Sequence, residues 1–209
     1  TMVGAEPLHI TGQVAYRAVY QTERLGRNID DRVKWWGPDR HIVSYKVDPR
    51  RDELYFIAST PEPEFQTESW SAPGELSVLL AAYEGFHPDA RMILESAPSV
   101  HKWAMIEREP LAGWTADRTI LIGDAAHPML PYMAQGAGAS MEDAVVLARC
   151  LQGKDRDGID GAFQICDRVR RPRTTEIQLG ARQNLWMRTA TNTDTDRIYG
   201  YDAWTVPLT

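Results

Sequence analysis

The sequence predicts a mixed fold, α+β or α/β, in which an antiparallel sheet precedes a strand and several helices. Three observations predict it. Residues 41–47 and 53–59 alternate apolar and polar side chains on either side of a turn, as the strands of a hairpin do. Residues 139–151 and 161–188 place apolar side chains at helical spacing. Between the halves, a short apolar stretch leads into a loop rich in proline and glycine.

The first half of the chain is expected to supply the sheet. Residues 13–20 are rich in Val, Ala and Tyr, which favour strands. Gly37-Pro38 and residues 48–52 provide turns, and the proline- and acid-rich residues 61–74 are expected to form a loop. The predicted strands of this half are 13–20, 41–47, 53–59 and 102–107. The predicted helices are 75–83 and 88–96.

The second half is expected to be helical after one strand at 114–122. The helix at 139–151 is predicted to place Met141 on its apolar face. Pro172 lies inside the helix at 161–188 and is expected to end or kink it, because proline has no backbone N–H to donate. The aromatic tail at 198–204 is expected to dock on the body of this half.

Composition excludes several classes of function. The 209 residues suffice for one large domain or two small ones. A net charge of −6 argues against a nucleic-acid partner, which needs a basic surface. No apolar run is long enough to cross a membrane. Cys150 and Cys166 suit free thiols in a reducing cytoplasm rather than a disulfide or a metal site. We therefore expect a cytoplasmic protein that binds no nucleic acid, membrane or metal.

The most informative segment is residues 120–144. An apolar strand at 119–122 is expected to place the carboxylate of Asp124 beside a loop with free backbone N–H groups. Gly136 and Gly138 let the backbone approach a flat or anionic ligand, since no Cβ intervenes. A helix N-terminus adds partial positive charge and unpaired donors. The alternative is an ordinary strand–loop–helix connection in which Asp124 is a turn residue.

This segment resembles the second flavin-binding motif of the single-component FAD aromatic hydroxylases, the salicylate and p-hydroxybenzoate hydroxylase family. The motif reads Gly-Asp-Ala-x-His-x-x-x-Pro-x-x-x-Gln-Gly and begins here at Gly123. In the family the Asp binds the ribityl chain of FAD, and the loop and helix N-terminus lie against the isoalloxazine. The resemblance implies FAD as cofactor and NAD(P)H as co-substrate. The cofactor-binding residues that it implies are Gly123, Asp124, Pro131, Gln135, Gly136, Ala137 and Gly138.

A second resemblance lies in Gly37-Pro38-x-x-His41-x-x-x-Tyr45, which is similar to the substrate-pocket strand of the salicylate and 6-hydroxynicotinate branch of the family. Residues i and i+4 of a strand share a face and lie roughly 13 Å apart, which is enough to bracket a ring. The resemblance implies that His41 and Tyr45 are the catalytic pair, binding a hydroxylated aromatic ring or helping to deprotonate it. From the residues alone, His41 can also be a hydrogen-bonded core histidine and Tyr45 a packing aromatic.

The sequence lacks a Gly-x-Gly-x-x-Gly after a strand, so the fingerprint that binds the FAD pyrophosphate is missing. Family members carry that fingerprint at their N-terminus. We therefore expect a C-terminal part of a longer polypeptide whose N-terminal βαβ segment, the dinucleotide-binding part, is absent. Residues 1–108 are expected to form a substrate-binding sheet domain and residues 109–209 the C-terminal part of an FAD-binding domain. The isolated chain is expected to bind FAD weakly and to be inactive.

The resemblance implies an FAD-dependent monooxygenase that hydroxylates a hydroxylated aromatic or N-heteroaromatic acid, with NAD(P)H and O2. One alternative is a non-catalytic module that needs a separate dinucleotide-binding chain. Another is a flavoprotein epoxidase on the same scaffold. Two further features have structural interpretations. His127 is expected to hold the loop, with approach to the cofactor as its alternative. The basic run at 168–173 is expected to form a solvated helix face, with binding of the nicotinamide donor's phosphates as its alternative.

Overall fold

A computed structural model describes residues 9–48, 50–67, 69, 71–183 and 195–209. These residues form two compact units. Residues 10–106 make up the sheet unit, and residues 107–209 belong to the helical unit. Among the described residues, no helix combines the length and the apolar character that crossing a bilayer requires.

The sheet unit is built on six strands. They are β1 (His9–Gln21), β2 (Val33–Trp36), β3 (His41–Asp48), β4 (Glu53–Pro61), β5 (Ala72–Gly74) and β6 (Val100–Glu107). Their order across the sheet is β2-β3-β4-β1-β6-β5. The pairs β1–β4, β2–β3, β3–β4 and β5–β6 are antiparallel, which confirms the predicted antiparallel sheet.

Two helices, α1 (Leu76–Ala82) and α2 (Pro88–Glu95), contribute to a core shared with this sheet. Fully burying an aliphatic or aromatic side chain stabilises the fold by roughly 1.5–3 kcal/mol. The largest fully buried members of this core are Tyr16, Ile42, Leu54, Phe56, Leu79, Tyr83, Ile93 and Leu94. Because side chains alternate along a strand, the core residues of β3 and β4 leave His41 on the opposite face of the sheet.

That opposite face, called the His41 face below, is ordered by the strand register. Its first row across the strands is Trp36, His41, Ser59 and Ala15. Its second row is Lys34, Val43, Ile57 and Arg17. Its third row contains Tyr45, Tyr55 and Val19. Aromatic, imidazole and cationic side chains from four strands therefore share one surface.

In the part of the chain that the structure describes, the helical unit contains a short hairpin and three α-helices. They are β7 (Thr115–Ala116), β8 (Thr119–Ile120), α3 (Gly136–Leu151), α4 (Ile159–Gln183) and α5 (Thr195–Tyr199). The apolar contact between α3 and α4 involves Val146, Cys150, Ala162 and Cys166, all buried. The C-terminal tail docks as predicted: Ala203 joins this cluster, and Arg149 donates to its carbonyl at 2.7 Å.

The structure corrects two boundaries in this unit. The strand predicted over 114–122 is reduced to β7 and β8, which pair only with each other, and its apolar end at 121–122 is not a strand. The backbone groups of a strand need hydrogen-bond partners on a neighbouring strand. Here β7 provides those partners to β8 over two residues. Residues 136–138, expected to belong to the loop before the helix at 139–151, instead form the first turn of α3, which begins at Gly136.

Pro172 was expected to end or kink the helix, and the first alternative is wrong, because α4 continues through Pro172. A kink at this position stays a prediction. Proline removes one backbone hydrogen bond. The residues around it, Arg170 and Thr174, are almost fully buried, and their packing keeps the helix continuous. Residues 184–188 of the predicted helix lie outside the described residues.

Candidate functional site

The loop between β8 and α3 opens with a tight turn at Gly123–Ala125. Gly123 has a φ of +60°, and a Cβ at this position would lie 2.9 Å from Oγ of Ser140. Glycine is therefore required on both conformational and steric grounds. Its amide donates to Oδ2 of Asp143 at 3.0 Å. This bond sets the position of the next residue, Asp124.

Asp124 is exposed, and its carboxylate lies beside the start of α3. A Cβ on Gly136 would be 4.0 Å from Oδ1 of Asp124. Gln135, which precedes the helix, makes no capping hydrogen bond through its side chain. The first amides of a helix have no acceptor within the helix and carry roughly half a positive charge. The structure thus brings an exposed acceptor and several amide donors together.

The other residues assigned to the cofactor lie along the same segment. Pro131 is exposed and begins a short turn at Pro131–Met133. Gln135, Gly136 and Gly138 are half-buried, and Ala137 is exposed. Of the seven assigned residues, Gly123 alone is buried, so the other six are at least partly accessible to a ligand.

A buried aspartate lies beneath this loop. Asp143 on α3 is 0% exposed, and besides the Gly123 amide it bonds Nε2 of His127 at 2.6 Å and Nε of Arg170 at 2.8 Å. Burial by itself raises the pKa of this carboxyl. The hydrogen bonds from His127, Arg170 and Gly123 outweigh it, so the pKa of Asp143 lies below its usual value. The carboxylate stays ionised near neutral pH and ties the loop to α3 and α4.

His127 holds the loop, as expected, although it acts through the Asp143 side chain and not through the backbone. Its ring packs against that of Trp114 with the centroids 5.2 Å apart. Within the described part of the chain, its Nδ1 is buried and has no hydrogen-bond partner. A second support comes from α4, where Nε2 of Gln178 donates to the carbonyl of Pro128 at 3.0 Å.

The basic run of α4 contributes to this support, so the expectation of a solvated face is wrong for Arg170 and Arg173. Arg170 is 0% exposed and donates to Glu142 at 2.7 Å as well as to Asp143. Arg173 makes two further bonds to Glu142, both 2.9 Å long. Both guanidinium groups also lie over the ring of Tyr201, at 5.0 and 4.0 Å. Adjacent carboxylates on α3 offset the desolvation of these cations.

Sequence reasoning missed the pairing of Asp143 with Arg170. The Glu-Asp pair and the arginines are visible in the sequence, but they are separated by 27 residues. The available signal was the helical spacing of Asp143 with Ala139 and Val146, which places the carboxylate on the buried stripe of α3.

His41 lies in β3 and is 8% exposed. Its Nδ1 is 2.6 Å from Oγ of Ser59, and its ring stacks on Trp36 with a centroid distance of 5.3 Å. Burial, together with the nearby charge of Lys34, lowers the pKa of His41 to about 4. The imidazole is therefore neutral near pH 7 and can form a hydrogen bond with a phenolic hydroxyl.

Tyr45 lies four residues along β3, on the same face as His41, with Val43 between them. It is 38% exposed, and its ring lies 5.1 Å from that of Tyr55. Burial raises the pKa of the Tyr45 hydroxyl, so it stays protonated near neutral pH. The i, i+4 placement is as the spacing predicts. The contact of either residue with a substrate stays a prediction.

Comparison with known proteins identifies the chain's relatives. A family model described as the FAD binding domain matches residues 49–164, more than half of the chain, including the loop and Asp143. The 6-hydroxynicotinate 3-monooxygenase of Bordetella bronchiseptica is 38% identical over 210 residues, which cover 99% of this chain and 54% of the relative. The 3-hydroxybenzoate 6-hydroxylase of Klebsiella oxytoca is 36% identical over 185 residues, covering 88% and 46%.

Solved structures share the fold. A salicylate hydroxylase with bound substrate superposes with a TM-score of 0.78 at 24% identity, covering 95% of this chain and 56% of that one. CtdE in complex with FAD and a substrate superposes with a TM-score of 0.82 at 23% identity, covering 96% and 56%. The resemblance stated from the sequence is confirmed. The chain spans about half the length of the relatives it matches.

Proposed function

This chain belongs to the FAD binding domain family, and on that premise we propose that it is a part of an FAD-dependent aromatic monooxygenase. The proposed reaction hydroxylates a hydroxylated aromatic or N-heteroaromatic acid with NAD(P)H and O2. One observation carries the proposal. The exposed carboxylate of Asp124 lies beside the uncapped amides of α3.

These groups fit one half of FAD. The ribityl chain carries hydroxyl groups, and these can donate hydrogen bonds to an exposed carboxylate such as that of Asp124. The isoalloxazine has carbonyl groups along one edge and gains negative charge on reduction, which amide donors at a helix N-terminus stabilise. We assign the pyrophosphate to a dinucleotide-binding segment outside this chain, since no Gly-x-Gly-x-x-Gly occurs in it.

When bound, FAD supplies the transfer of reducing equivalents from NAD(P)H to O2 and of one oxygen atom to the ring. The residues of this chain orient the reactants and manage one proton. Asp143, His127 and Arg170 hold the loop in place. His41 hydrogen-bonds the ring hydroxyl and promotes its ionisation, which enriches the ring in electrons, while Tyr45 borders the ring.

The proposal also assigns roles to the two parts of the chain. Residues 1–108 bind the aromatic substrate, and residues 109–209 complete the FAD-binding domain. A cytoplasmic location is supported by Cys150 and Cys166, which are free and buried.

The test uses the complete polypeptide that contains this chain. Purified protein is expected to be yellow, with a flavin absorbance spectrum, and to oxidise NADH or NADPH faster when 3-hydroxybenzoate or 6-hydroxynicotinate is added. Mass spectrometry should then detect a product with one additional oxygen atom. A colourless protein that stays inert with both donors would rule the proposal out.

The isolated 209-residue chain provides a second test. It is expected to bind FAD weakly and to be inactive, because its sequence lacks the Gly-x-Gly-x-x-Gly motif that binds the pyrophosphate. Mixing it with a separately expressed dinucleotide-binding segment distinguishes the non-catalytic module: restored FAD binding without turnover of any aromatic acid would favour that alternative. Formation of an epoxide in place of a phenol would favour the epoxidase.

A further inference from the structure

Lys34 occupies a defined position on the His41 face. It pairs with Val43 of β3, and Trp36, two residues further along β2, pairs with His41. Lys34 is therefore the diagonal neighbour of His41 in an antiparallel pair. In such a pair the two Cα atoms lie about 7–8 Å apart. Arg17, at the other end of the same row, lies on β1, two strands or about 10 Å across the sheet from the strand of His41, and three strands or about 14 Å from Lys34. Lys34 is thus the cation of this row nearest to His41.

The Lys34 ammonium is held against an aromatic ring. Its Nζ lies 4.0 Å from the centroid of Trp36, and Trp36 in turn stacks on His41 with an angle of 26° between the rings. The side chain is half-buried, and this burial lowers the pKa of Lys34 to about 8. Withdrawing an ammonium from water costs free energy, and residues placed in this way are concentrated at functional sites.

The surface between Lys34 and Arg17 suits a flat ring. Val43 and Ile57 form an apolar, half-buried floor in the row that joins the two cations. Trp36 and His41 border this floor on one side. The tyrosines of the third row border it on the other, with their rings 5.1 Å apart. An apolar floor with aromatic borders and a cation at each end is complementary to an aromatic anion.

We propose that Lys34 binds the carboxylate of the aromatic substrate while His41 engages its ring hydroxyl. This inference rests on the proposed function and adds a residue that determines specificity. His41 is neutral near pH 7 and cannot balance the charge of an aromatic acid. The ammonium of Lys34 supplies that charge on the same face, at a distance that a single ring with two substituents spans. Lys34 would therefore select carboxylated rings over neutral ones of the same shape.

The test compares an acid with its neutral amide. The probes are 3-hydroxybenzoate with 3-hydroxybenzamide, and 6-hydroxynicotinate with 6-hydroxynicotinamide, in the complete flavin-loaded polypeptide. Lys34→Met is expected to raise Kd and KM for the acid by roughly 10–100-fold, the usual range for losing a charged hydrogen bond, with a smaller effect on kcat. Binding of the amide should be unchanged. Lys34→Arg keeps the charge and should restore most of the affinity.

The matched control is Lys46→Met. Lys46 lies on β3, but on the opposite face of the sheet, and pairs at 3.5 Å with Asp52. It should leave both probes unaffected. Equal binding of the acid by Lys34→Met and wild type would overturn the inference even if hydroxylation proceeds. A parallel loss for acid and amide, or a large drop in thermal stability, would show a structural role and also overturn it.

Failure of the proposed function gives a different result. In that case the wild-type protein would not couple NAD(P)H oxidation to either acid. Quenching of tryptophan fluorescence by each probe reports binding without turnover, because Trp36 lies between Lys34 and His41. Acid-selective quenching that is lost in Lys34→Met supports the anion site independently, and no selectivity in the wild type rejects it.

Discussion

The loop at residues 123–135 and the His41 face both place charged groups on an apolar scaffold, but the charges have different neighbours. Beneath the loop, Asp143 meets Arg170 at 2.8 Å, so hydrogen bonds between opposite charges offset the desolvation and the carboxylate stays ionised. On the His41 face, two basic groups lie near each other. Burial there favours the neutral forms, and it lowers the pKa of Lys34 to about 8 and that of His41 to about 4.

This difference suggests separate roles: the buried ion pair stabilises the loop, and the basic groups of the His41 face are suited to binding a ligand. A buried ion pair is costly to break, and it fixes the loop whose exposed Asp124 is left available for a ligand. The pKa of Lys34 is lowered to about 8, close to the working pH, which suits this group to binding an anion or exchanging a proton, whereas the lowered pKa of His41 keeps its imidazole neutral. We expect substitutions beneath the loop to change mainly the stability of the fold, and substitutions of exposed groups to change mainly the affinity for ligands.

Breaking the buried pair should have the largest effect. Arg170→Met leaves Asp143 without its main cation, and we expect the free energy of unfolding to fall by about 3–5 kcal/mol. Urea denaturation of the 209-residue chain measures this. Arg171→Met is the control, since Arg171 pairs with Asp167 within the same helix in a partly exposed position, where a pair contributes about 1 kcal/mol or less. Similar losses for the two variants would contradict the contrast between buried and exposed pairs.

The His41 face should reveal itself in the pH dependence of stability. The pKa of His41 is about 4 in the folded chain against 6.5 for an ordinary histidine. Below pH 6.5 the unfolded state therefore binds a proton that the folded state does not. Stability should fall by up to about 3 kcal/mol between pH 6.5 and 4, with no contribution from this group above that range.

His41→Gln isolates this contribution. Carboxylates titrate in the same range in both proteins, so the difference between their stability–pH curves reports His41. Denaturation curves collected from pH 4 to pH 8 should be flatter for the variant by that amount. Parallel curves would show that the imidazole titrates normally and would remove the contrast with Asp143.

Asp124 should affect ligand binding without affecting the fold. In the complete polypeptide, Asp124→Ala removes the proposed acceptor for a ribityl hydroxyl and should weaken FAD binding by about 1–3 kcal/mol, or roughly 5–150-fold in Kd. Because the side chain is exposed, stability should change by no more than about 0.5 kcal/mol. Fluorescence titration measures the affinity, with Asp157→Ala as the exposed control. Unchanged affinity would return Asp124 to the role of a turn residue.

The smallest effect on stability is expected for the exposed hydrogen bond between Tyr199 and the loop. The hydroxyl of Tyr199 donates to the carbonyl of Met133 at 3.1 Å, in a residue that is 56% exposed. Tyr199→Phe should lower stability by less than about 1 kcal/mol, because water replaces an exposed partner readily. A thermal melt is a sufficient measurement. A loss as large as that of Arg170→Met would mean that the loop depends on the tail and not on the buried pair.

Much of the sheet could be predicted because its signals are local. The alternation of β3 and β4 follows from the two-residue period of a strand, and the same period places His41 and Tyr45 on one face. The loop motif could also be predicted from the sequence, because Gly123 has a backbone conformation and a close neighbour that only glycine tolerates. These are properties of short segments, which a sequence displays directly.

The buried face of α3 shows where local signals fail. Met141 was expected on the apolar face, but it is 66% exposed, and the buried stripe carries Asp143 instead. A charged residue breaks the apolar period that reveals a core-facing stripe. Burial of Asp143 is favourable only because Arg170, on a separate helix, pairs with its carboxylate.

The sequence by itself determined the strand pattern, the flavin-type loop and the candidate residues His41, Tyr45 and Asp124, because each depends on neighbours along the chain. Tertiary structure alone decided that Arg170 is buried, that α4 runs through Pro172 and that Lys34 lies diagonal to His41. The physical reason is that burial, charge pairing and register each depend on a second segment, whose approach no single stretch of sequence specifies.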